Sequence, residues 1–202
     1  MTRKTEQEQR YPRRVDLDGK TYVIEPMRAE DGPAVGAFIA ALPAHDLLFL
    51  SKDVTNPKVL SAWMEALGTG RIHSLVVRDG ETIVGCTALV TETLTWSRHV
   101  GEMRVLTSPA VRGQGLGREL VQECFRAALE LGLEKLCVRM TVDQQAAIAS
   151  FEGIGFRAEA LLRKHVRDHE GKDHDLAVLS HDVAEVQSRM SAYGVTEAFD
   201  GA

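Results

Sequence analysis

The stretch Gly101-Glu-Met-Arg-Val-Leu-Thr-Ser-Pro-Ala-Val-Arg-Gly-Gln-Gly-Leu-Gly117 decides the fold that this sequence predicts. Its first part, Gly101–Thr107, is predicted to be a strand, and the glycines at its end open a helix from about Leu116 to Leu131. Gly132 then suits the helix C-terminus, because glycine readily adopts the left-handed backbone conformation found there. The stretch therefore predicts a strand, a glycine-rich loop and a helix in direct succession.

The glycine-rich loop has the chemistry of a phosphate site. Glycines let the backbone approach a ligand and leave amide N–H groups pointing outward, and a helix N-terminus adds partial positive charge. Arg112 and Arg118 add full charges suited to phosphate. The Walker A pattern fails for want of a Gly-Lys pair, and the dinucleotide fingerprint meets Arg118 or Leu120 where it requires glycine. The pattern that fits is Arg-x-x-Gly-x-Gly at Arg112, Gly115 and Gly117, which taken alone is equally compatible with a plain glycine-rich turn.

Further elements are predicted on both sides of this stretch. Apolar residues at i, i+3, i+4 and i+7 predict two helices, one ended by Pro43 and one following Asn56-Pro57. Asp79-Gly80 predicts a hairpin. The remaining predicted elements are strands at Thr21–Ile24, Ser74–Arg78, Thr82–Thr91, Leu133–Val142, Phe156–His165 and Lys172–Ser180, and a short helix over Gln145–Glu152. This order predicts one α+β domain with a mixed sheet.

The chain resembles the GCN5-related N-acetyltransferase (GNAT) family over about residues 20–180. The opening stretch is similar to that family's central strand and pyrophosphate loop. Downstream, Gln144-Gln-Ala-Ala-Ile-Ala-Ser-Phe-Glu-Gly-Ile-Gly-Phe156 is similar to its Asn-x-x-Ala-x-x-x-Tyr…Gly-Phe segment. Two motifs in the correct order are far more specific than either alone.

Two shorter similarities accompany the main one. Arg28, Glu30 and Asp31, ahead of the first helix, resemble the usual opening of the family. More weakly, Arg10-Tyr11-Pro12 and the strand Gly101–Val105 resemble the acetyltransferase domain of bacterial protein-lysine acetyltransferases.

The resemblance implies a fold, an activity and a set of site residues. The fold is a mixed, mostly antiparallel sheet flanked by helices and splayed at its two central strands. The activity is transfer of an acetyl group from acetyl-CoA to a primary amine by direct attack. The acceptor is a small molecule or a protein lysine or N-terminus, and a homodimer is expected. The implied cofactor-binding residues are Val105, Leu106, Thr107, Arg112, Gly113, Gln114, Gly115, Leu116, Gly117, Arg118, Gln144 and Phe151.

Two positions depart from the family pattern. Gln144 stands in place of the usual Asn and can still form hydrogen bonds from its longer side chain. Phe151 stands in place of the Tyr that usually acts as general acid, and it has no proton to give. An alternative function is therefore a non-catalytic acyl-CoA-binding sensor or regulatory module. A structural protein with an empty cleft is a third.

Glu102 is the candidate base that deprotonates the acceptor amine. The resemblance places it on the active-site strand, where members of the family often carry a functional Glu. It shares a face of that strand with Arg104 and Leu106, because side chains alternate with a period of two. The alternative is a salt bridge to Arg104, which would make the carboxylate a poor base. A backbone N–H near Leu106 or Thr107, freed by the splay, is expected to stabilise the oxyanion.

Composition and charge narrow the partners and the domain organisation. The chain has 202 residues, and we expect a domain at residues 15–183 between a flexible tail at 1–14 and a peripheral tail at 184–202. Its net charge of −5 argues against nucleic-acid or anionic-membrane binding, and no apolar run is long enough to span a bilayer. With a polar N-terminus unlike a signal peptide, the protein is expected to be cytoplasmic, with three reduced and buried cysteines.

The histidines of the last predicted hairpin raise the question of a metal. His165, His169 and His174 match no zinc-ligand spacing, so solvated side chains are expected there and no metal is predicted. Trp96 and His99, in an earlier hairpin, either border the acceptor cleft or lie at an exposed tip.

Overall fold

The computed structural model describes residues 10–183, in which nine strands form one sheet and helices cover both of its faces. The strands are β1 (Arg13–Leu17), β2 (Lys20–Pro26), β3 (Ile72–His73), β4 (Leu75–Asp79), β5 (Thr82–Thr91), β6 (Val100–Thr107), β7 (Lys135–Thr141), β8 (Arg157–Arg167) and β9 (Asp173–Asp182). The α-helices are α1 (Gly32–Ala40), α2 (Pro57–Leu67), α3 (Leu116–Leu131) and α4 (Gln145–Gly153). Short 3₁₀ turns lie at Ala29–Asp31, Ala44–Leu47 and Pro109–Val111.

The sheet is mixed and mostly antiparallel, as predicted. Its strand order is β1-β2-β4-β5-β6-β7-β9-β8, with β3 paired to β5 beside this path. Within residues 10–183, β6 and β7 form the one parallel pair. The predicted α+β fold class is confirmed.

The two central strands diverge. Pairing between β6 and β7 covers Val100 to Glu102 on one strand and Lys135 to Cys137 on the other. Beyond those positions β6 remains paired with β5, and β7 remains paired with β9, up to their ends. A V-shaped gap therefore opens toward Thr107 and Thr141, and the splay that the resemblance implied is present.

Two apolar layers, one on each face of the sheet, pack the helices against the strands. Leu106 packs with Phe38 and other residues of α1 and α2, whereas Met103 packs with Val121 and other residues of α3 and α4. Burial of these side chains is the main favourable term in folding. Because side chains alternate along β6, Glu102 belongs to the α1–α2 face of the sheet.

The structure corrects the expected N-terminal tail. The strand β1 begins at Arg13, inside the tail predicted for residues 1–14, and it pairs with β2 across the turn at Asp18-Gly19. Glu123 of α3 is fully buried and accepts hydrogen bonds from Tyr11 Oη at 2.7 Å and Arg13 Nη1 at 2.8 Å. These contacts fasten the segment from residue 10 onward to the body of the domain. The rest of that tail, 1–9, and the predicted tail at 184–202 lie outside the described residues.

The three cysteines are free thiols with different surroundings. Cys86 and Cys124 are buried, and burial raises the pKa of each thiol to about 12. Cys137 is half-buried, which is less than predicted, and burial raises the pKa of its thiol as well. High thiol pKa values leave little thiolate at neutral pH, so none of the three has the surroundings of a catalytic cysteine.

Candidate active site

A cavity of about 940 Å³ occupies the gap between the diverging strands. Its wall combines the end of β6, the glycine-rich loop, the start of α3, the end of β7 and much of α4. The residues that line it are Asp46, Phe49, Met103, Val105, Leu106, Thr107, Val111, Arg112, Gly113, Gly115, Gly117, Arg118, Val121, Val138, Arg139, Met140, Asp143, Gln144, Gln145, Ala146, Ala147, Ala149, Ser150, Phe151, Gly153 and Ile154. The cavity is mostly apolar, with charged groups at its rim, which is typical of a ligand site.

The edge of β6 that faces the gap offers backbone hydrogen-bonding groups. The Ser108 N–H donates to the Val84 carbonyl at 2.8 Å, on the side of β5. Because the N–H groups of a strand alternate between its two edges, the Leu106 N–H also points to β5, and those of Val105 and Thr107 point into the gap. Of the two backbone N–H groups expected as oxyanion donors, only that of Thr107 points into the gap, and the N–H of Val105 is a second candidate.

The glycine-rich loop presents its backbone to the same cavity. Gly113 and Gly115 have φ angles of +75° and +93°, which residues other than glycine rarely adopt. A Cβ atom built on Gly117 meets nothing within 4 Å, although the residue lies in the first turn of α3. Gly117 is therefore not required by packing within the protein, and its absent side chain leaves room on the cavity side. The N–H groups of Leu116 and Gly117, the first two of α3, have no partner inside the helix, so this end favours an anion.

The two arginines of the loop differ in their contacts. The Arg112 Nη2 atom lies 2.6 Å from Asp46 Oδ2 and donates to the Thr107 carbonyl at 3.1 Å. Arg118 also lines the cavity and, within residues 10–183, takes part in no ion pair. Arg118 is thus available to an anionic ligand, whereas Arg112 also braces the cavity rim.

Two predicted cofactor-binding residues turn their side chains away from the cavity. Gln114 accepts a hydrogen bond from Tyr22 Oη at 2.9 Å and donates to the Ala110 carbonyl at 3.1 Å. Leu116 is buried in the apolar cluster between α3 and the sheet. Only the backbone of these two residues is placed to contribute to an anion site.

Gln144 and Phe151 line the cavity from the β7–α4 side. The Gln144 Oε1 atom accepts the Thr141 N–H at 3.2 Å, so this side chain stabilises the end of β7. Phe151 packs edge-on against Phe156, with ring centroids 5.2 Å apart. Ser150, one residue earlier, donates its hydroxyl to the Ala146 carbonyl at 2.8 Å. Phe151 therefore gives this wall an apolar surface with no acidic proton.

Glu102 is held by two guanidinium groups. Its Oε1 atom accepts from Arg104 Nε at 2.8 Å, and its Oε2 atom lies 3.4 Å from Arg139 Nη2. Arg104 also donates to the Ser51 hydroxyl at 3.1 Å. The expected contact between Glu102 and Arg104 is present, so the base and the salt-bridge interpretations have to be separated by experiment.

A polar cluster beside the cavity was not among the site residues predicted from the sequence. His45 Nε2 lies 2.9 Å from Asp143 Oδ2, and His174 Nε2 lies 2.7 Å from Asp168 Oδ2. The Thr141 hydroxyl is the main cause that holds the pKa of Asp143 below its usual value, with a smaller contribution from His45. Asp143 lines the cavity, so the cluster borders the candidate site. No spacing signal finds it, because its members come from distant parts of the chain.

The other histidines and the hairpin tip lie outside this arrangement. His165 and His169 are exposed, as predicted for solvated side chains, whereas this prediction is wrong for His174, whose side chain is 9% exposed. Trp96 is fully exposed, and neither it nor His99 lines the cavity, which agrees with the exposed-tip interpretation. None of the helices within residues 10–183 combines the length and apolar character that crossing a lipid bilayer requires.

Comparison with known proteins identifies relatives of this architecture. Residues 44–156, more than half of the chain, match the model of the acetyltransferase (GNAT) family. The uncharacterized N-acetyltransferase YjgM of Escherichia coli strain K12 is 26% identical over 136 residues, which cover 66% of this chain and 81% of that protein.

Two solved structures share the fold. An acetyltransferase of the GNAT family from Streptococcus pneumoniae superposes with a TM-score of 0.69 at 18% identity, over 80% of this chain and 99% of that one. The structure of yncA from Salmonella typhimurium, which contains its cofactor acetyl-CoA, gives a TM-score of 0.66 at 19% identity, over 80% and 94% of the two chains.

Proposed function

The chain belongs to the acetyltransferase (GNAT) family, and from this premise we propose that it transfers an acetyl group from acetyl-CoA to a primary amine. The observation that carries the proposal is the cavity in the V-shaped gap. It is lined both by the glycine-rich loop, which suits a phosphate group, and by the edge of β6 that has no strand partner. The acceptor is an amine on a small molecule, or a lysine or N-terminus of a protein.

Coenzyme A matches this cavity group by group. Its pyrophosphate suits the N–H groups at Gly113–Gly117 and the charge of Arg118. Its pantetheine arm is extended and contains amides, so it can pair with the free edge of β6 as an added strand would. Backbone groups of Val105 and Thr107 that lack a strand partner would then be satisfied. The thioester would lie near Phe151, on the β7–α4 side of the cavity.

The chemistry requires a neutral amine, an oxyanion donor and a tolerable leaving group. The amine attacks the thioester carbonyl, and the Thr107 or Val105 N–H stabilises the oxyanion that forms. Glu102, directly or through water, accepts the proton of the acceptor ammonium group. The leaving group is a thiolate, and a simple thiol has a pKa of about 8.5, so its expulsion near neutral pH is only mildly uphill. Turnover is therefore expected without a tyrosine at position 151.

A non-catalytic acyl-CoA-binding module is the second candidate. Phe151 favours it, because the wall nearest the expected sulfur has no side-chain acid. The ion pairs of Glu102 with Arg104 and Arg139 also favour it, because both carboxylate oxygens are engaged. Such a module would use the same cavity and differ only in turnover.

One experiment separates these functions. Acetyl-CoA is incubated with the protein and a mixed panel of small amines and peptides, while release of the free thiol of coenzyme A is followed and binding is measured by calorimetry. Binding with amine-dependent thiol release supports the acetyltransferase. Binding without release supports the module. Failure of the folded protein to bind acetyl-CoA would contradict both.

A further inference from the structure

We propose that His45, Asp143 and His174 bind a divalent transition-metal ion of the zinc class beside the cavity. The proposal is independent of whether the chain transfers acetyl groups. It departs from the sequence-based expectation of no metal, which considered only the three histidines of the last hairpin.

The three side chains converge from distant segments. His45 lies in the 3₁₀ turn Ala44–Leu47, Asp143 follows β7, and His174 is the second residue of β9. One donor atom from each lies within 4.8 Å of the donor atoms of the other two. The His45 and His174 rings meet edge-on, with centroids 5.2 Å apart. Two imidazoles and one carboxylate thus offer donor atoms that lie close enough together for a single ion to bind.

The surroundings of His174 resemble those of a metal ligand. Its Nε2 atom is hydrogen-bonded to Asp168 Oδ2 at 2.7 Å, and its side chain is only 9% exposed. The other oxygen of Asp168 accepts the N–H groups of Glu170 and Lys172, both at 2.9 Å, which fixes the carboxylate. Metal-binding histidines commonly engage their second ring nitrogen with a carboxylate in this way. Because Asp168 holds Nε2, coordination by His174 would use Nδ1.

The donor set selects the class of ion. Zinc binds His nitrogen and carboxylate oxygen at about 2.0–2.2 Å, often with three protein ligands and one water. His45 and Asp143 are partly exposed, so small side-chain rotations can close the set and leave a position for water. Calcium and magnesium prefer oxygen ligands throughout, and two imidazoles suit them poorly.

An ion at this point would join parts of the cavity rim. Asp143 lines the cavity, and Asp46, next to His45, holds Arg112 of the glycine-rich loop at 2.6 Å. Coordination would therefore fix the 3₁₀ turn Ala44–Leu47 against the ends of β7 and β9. The ion would act on the shape of the rim.

The test is metal binding by the full chain. After dialysis against a chelator, Zn²⁺ is titrated by calorimetry, and Co²⁺ is titrated while its visible absorption is followed. We expect one equivalent of either ion, with the intense cobalt bands of a four- or five-coordinate site, and no comparable binding of Mg²⁺. His45→Ala and His174→Ala should each abolish this stoichiometric binding. Asp168→Asn should weaken it by about 10–100-fold, the usual effect of losing such a carboxylate.

His169→Ala is the matched control, because His169 is an exposed histidine of the same hairpin that lies outside the cluster. It should leave zinc binding unchanged. The proposal is overturned if the folded wild-type chain binds no zinc, or if His45→Ala binds zinc as tightly as wild type. Since His174 is nearly buried and its replacement can impair folding, the more exposed His45 carries the decisive comparison.

Discussion

Glu102 places a carboxylate on the α1–α2 face of the sheet, between the guanidinium groups of Arg104 and Arg139. If it deprotonates the acceptor, Glu102→Gln should lower kcat by about 10²–10⁴-fold, the usual scale for general acid–base catalysis. The acidic limb of the pH–rate profile should shift or vanish, while calorimetry shows unchanged affinity for coenzyme A.

The salt-bridge interpretation of Glu102 makes a different forecast. Glu102→Gln and Arg104→Gln would then lower the melting temperature by similar amounts, and the acidic limb would stay in place. A Glu102→Gln variant with near-normal turnover would assign the residue to that structural role.

Replacing Phe151 with tyrosine tests whether a side-chain acid near the expected thioester sulfur would increase the rate of the proposed reaction. Phe151→Tyr adds one hydroxyl to a ring that already lines the cavity, so it should raise kcat modestly and change KM little. Steady-state kinetics with the best amine of the panel checks this. Unchanged kcat in an active enzyme would mean that the ring does not face the sulfur, and activity found only in the variant would identify the native chain as a binding module.

The site residues that could be predicted from the sequence are those whose role depends on backbone conformation. Gly113, Gly115 and Arg112, which the motif singled out, all line the cavity. The direction of the Gln114 side chain was not predictable, because its partner Tyr22 lies 92 positions away.

At the scale of elements, the N-terminus of α3 is the part of the site that can be altered with least disturbance. Gly117→Ala should raise the free energy of unfolding by up to about 0.5–1 kcal/mol, because alanine is the better helix former and meets no neighbouring atom. The same methyl group should weaken binding of coenzyme A if the backbone touches pyrophosphate there. Urea unfolding and calorimetry measure the two effects.

Gly68→Ala is the control for Gly117. Gly68 has helical backbone angles at the end of α2, its added Cβ has only an ordinary contact at 3.9 Å, and it does not line the cavity. It should leave binding of coenzyme A unaltered. Equal affinity of wild type and a folded Gly117→Ala protein would contradict the placement of pyrophosphate at this helix.

Most elements followed from periodicity and turn residues, since the apolar spacing of α1, α2 and α3 is visible locally. The strand β1 was not predicted from these local signals. Its charged Arg13 is stabilised by Glu119 and Glu123, more than a hundred residues away, so the local pattern looked like a solvated tail.

For the molecule as a whole, Glu123 joins the N-terminal strand to the central helix. Its buried carboxylate also pairs with Arg126 at 2.5 Å. Glu123→Gln should lower the free energy of unfolding by about 1–3 kcal/mol, because hydrogen bonds to a charged group are lost. The loss stays below that for a fully buried pair, since Arg13 and Arg126 are about 30% exposed and can turn to water. Urea denaturation measures it.

Glu81→Gln, on an exposed turn, is the comparison for Glu123 and should stay within about 0.5 kcal/mol of wild type. Equal midpoints for both variants would show that the Glu123 network contributes nothing to stability.

The global arrangement was predictable only in part. The splay between β6 and β7 followed from family resemblance, since no periodicity marks where two strands separate. The cluster of His45, Asp143 and His174 depends on how three distant segments meet, which spacing along the chain does not encode.

The burial of Cys86 and Cys124 bears on how well a slow reaction can be detected. Released coenzyme A is commonly followed with a coloured disulfide reagent, which reports any thiolate it can reach. Two of the chain's own thiols are enclosed and protonated, so only the half-buried Cys137 is placed to contribute background signal. The protein can therefore be used at high concentration, where slow turnover would be detected as thiol release beyond one equivalent of protein.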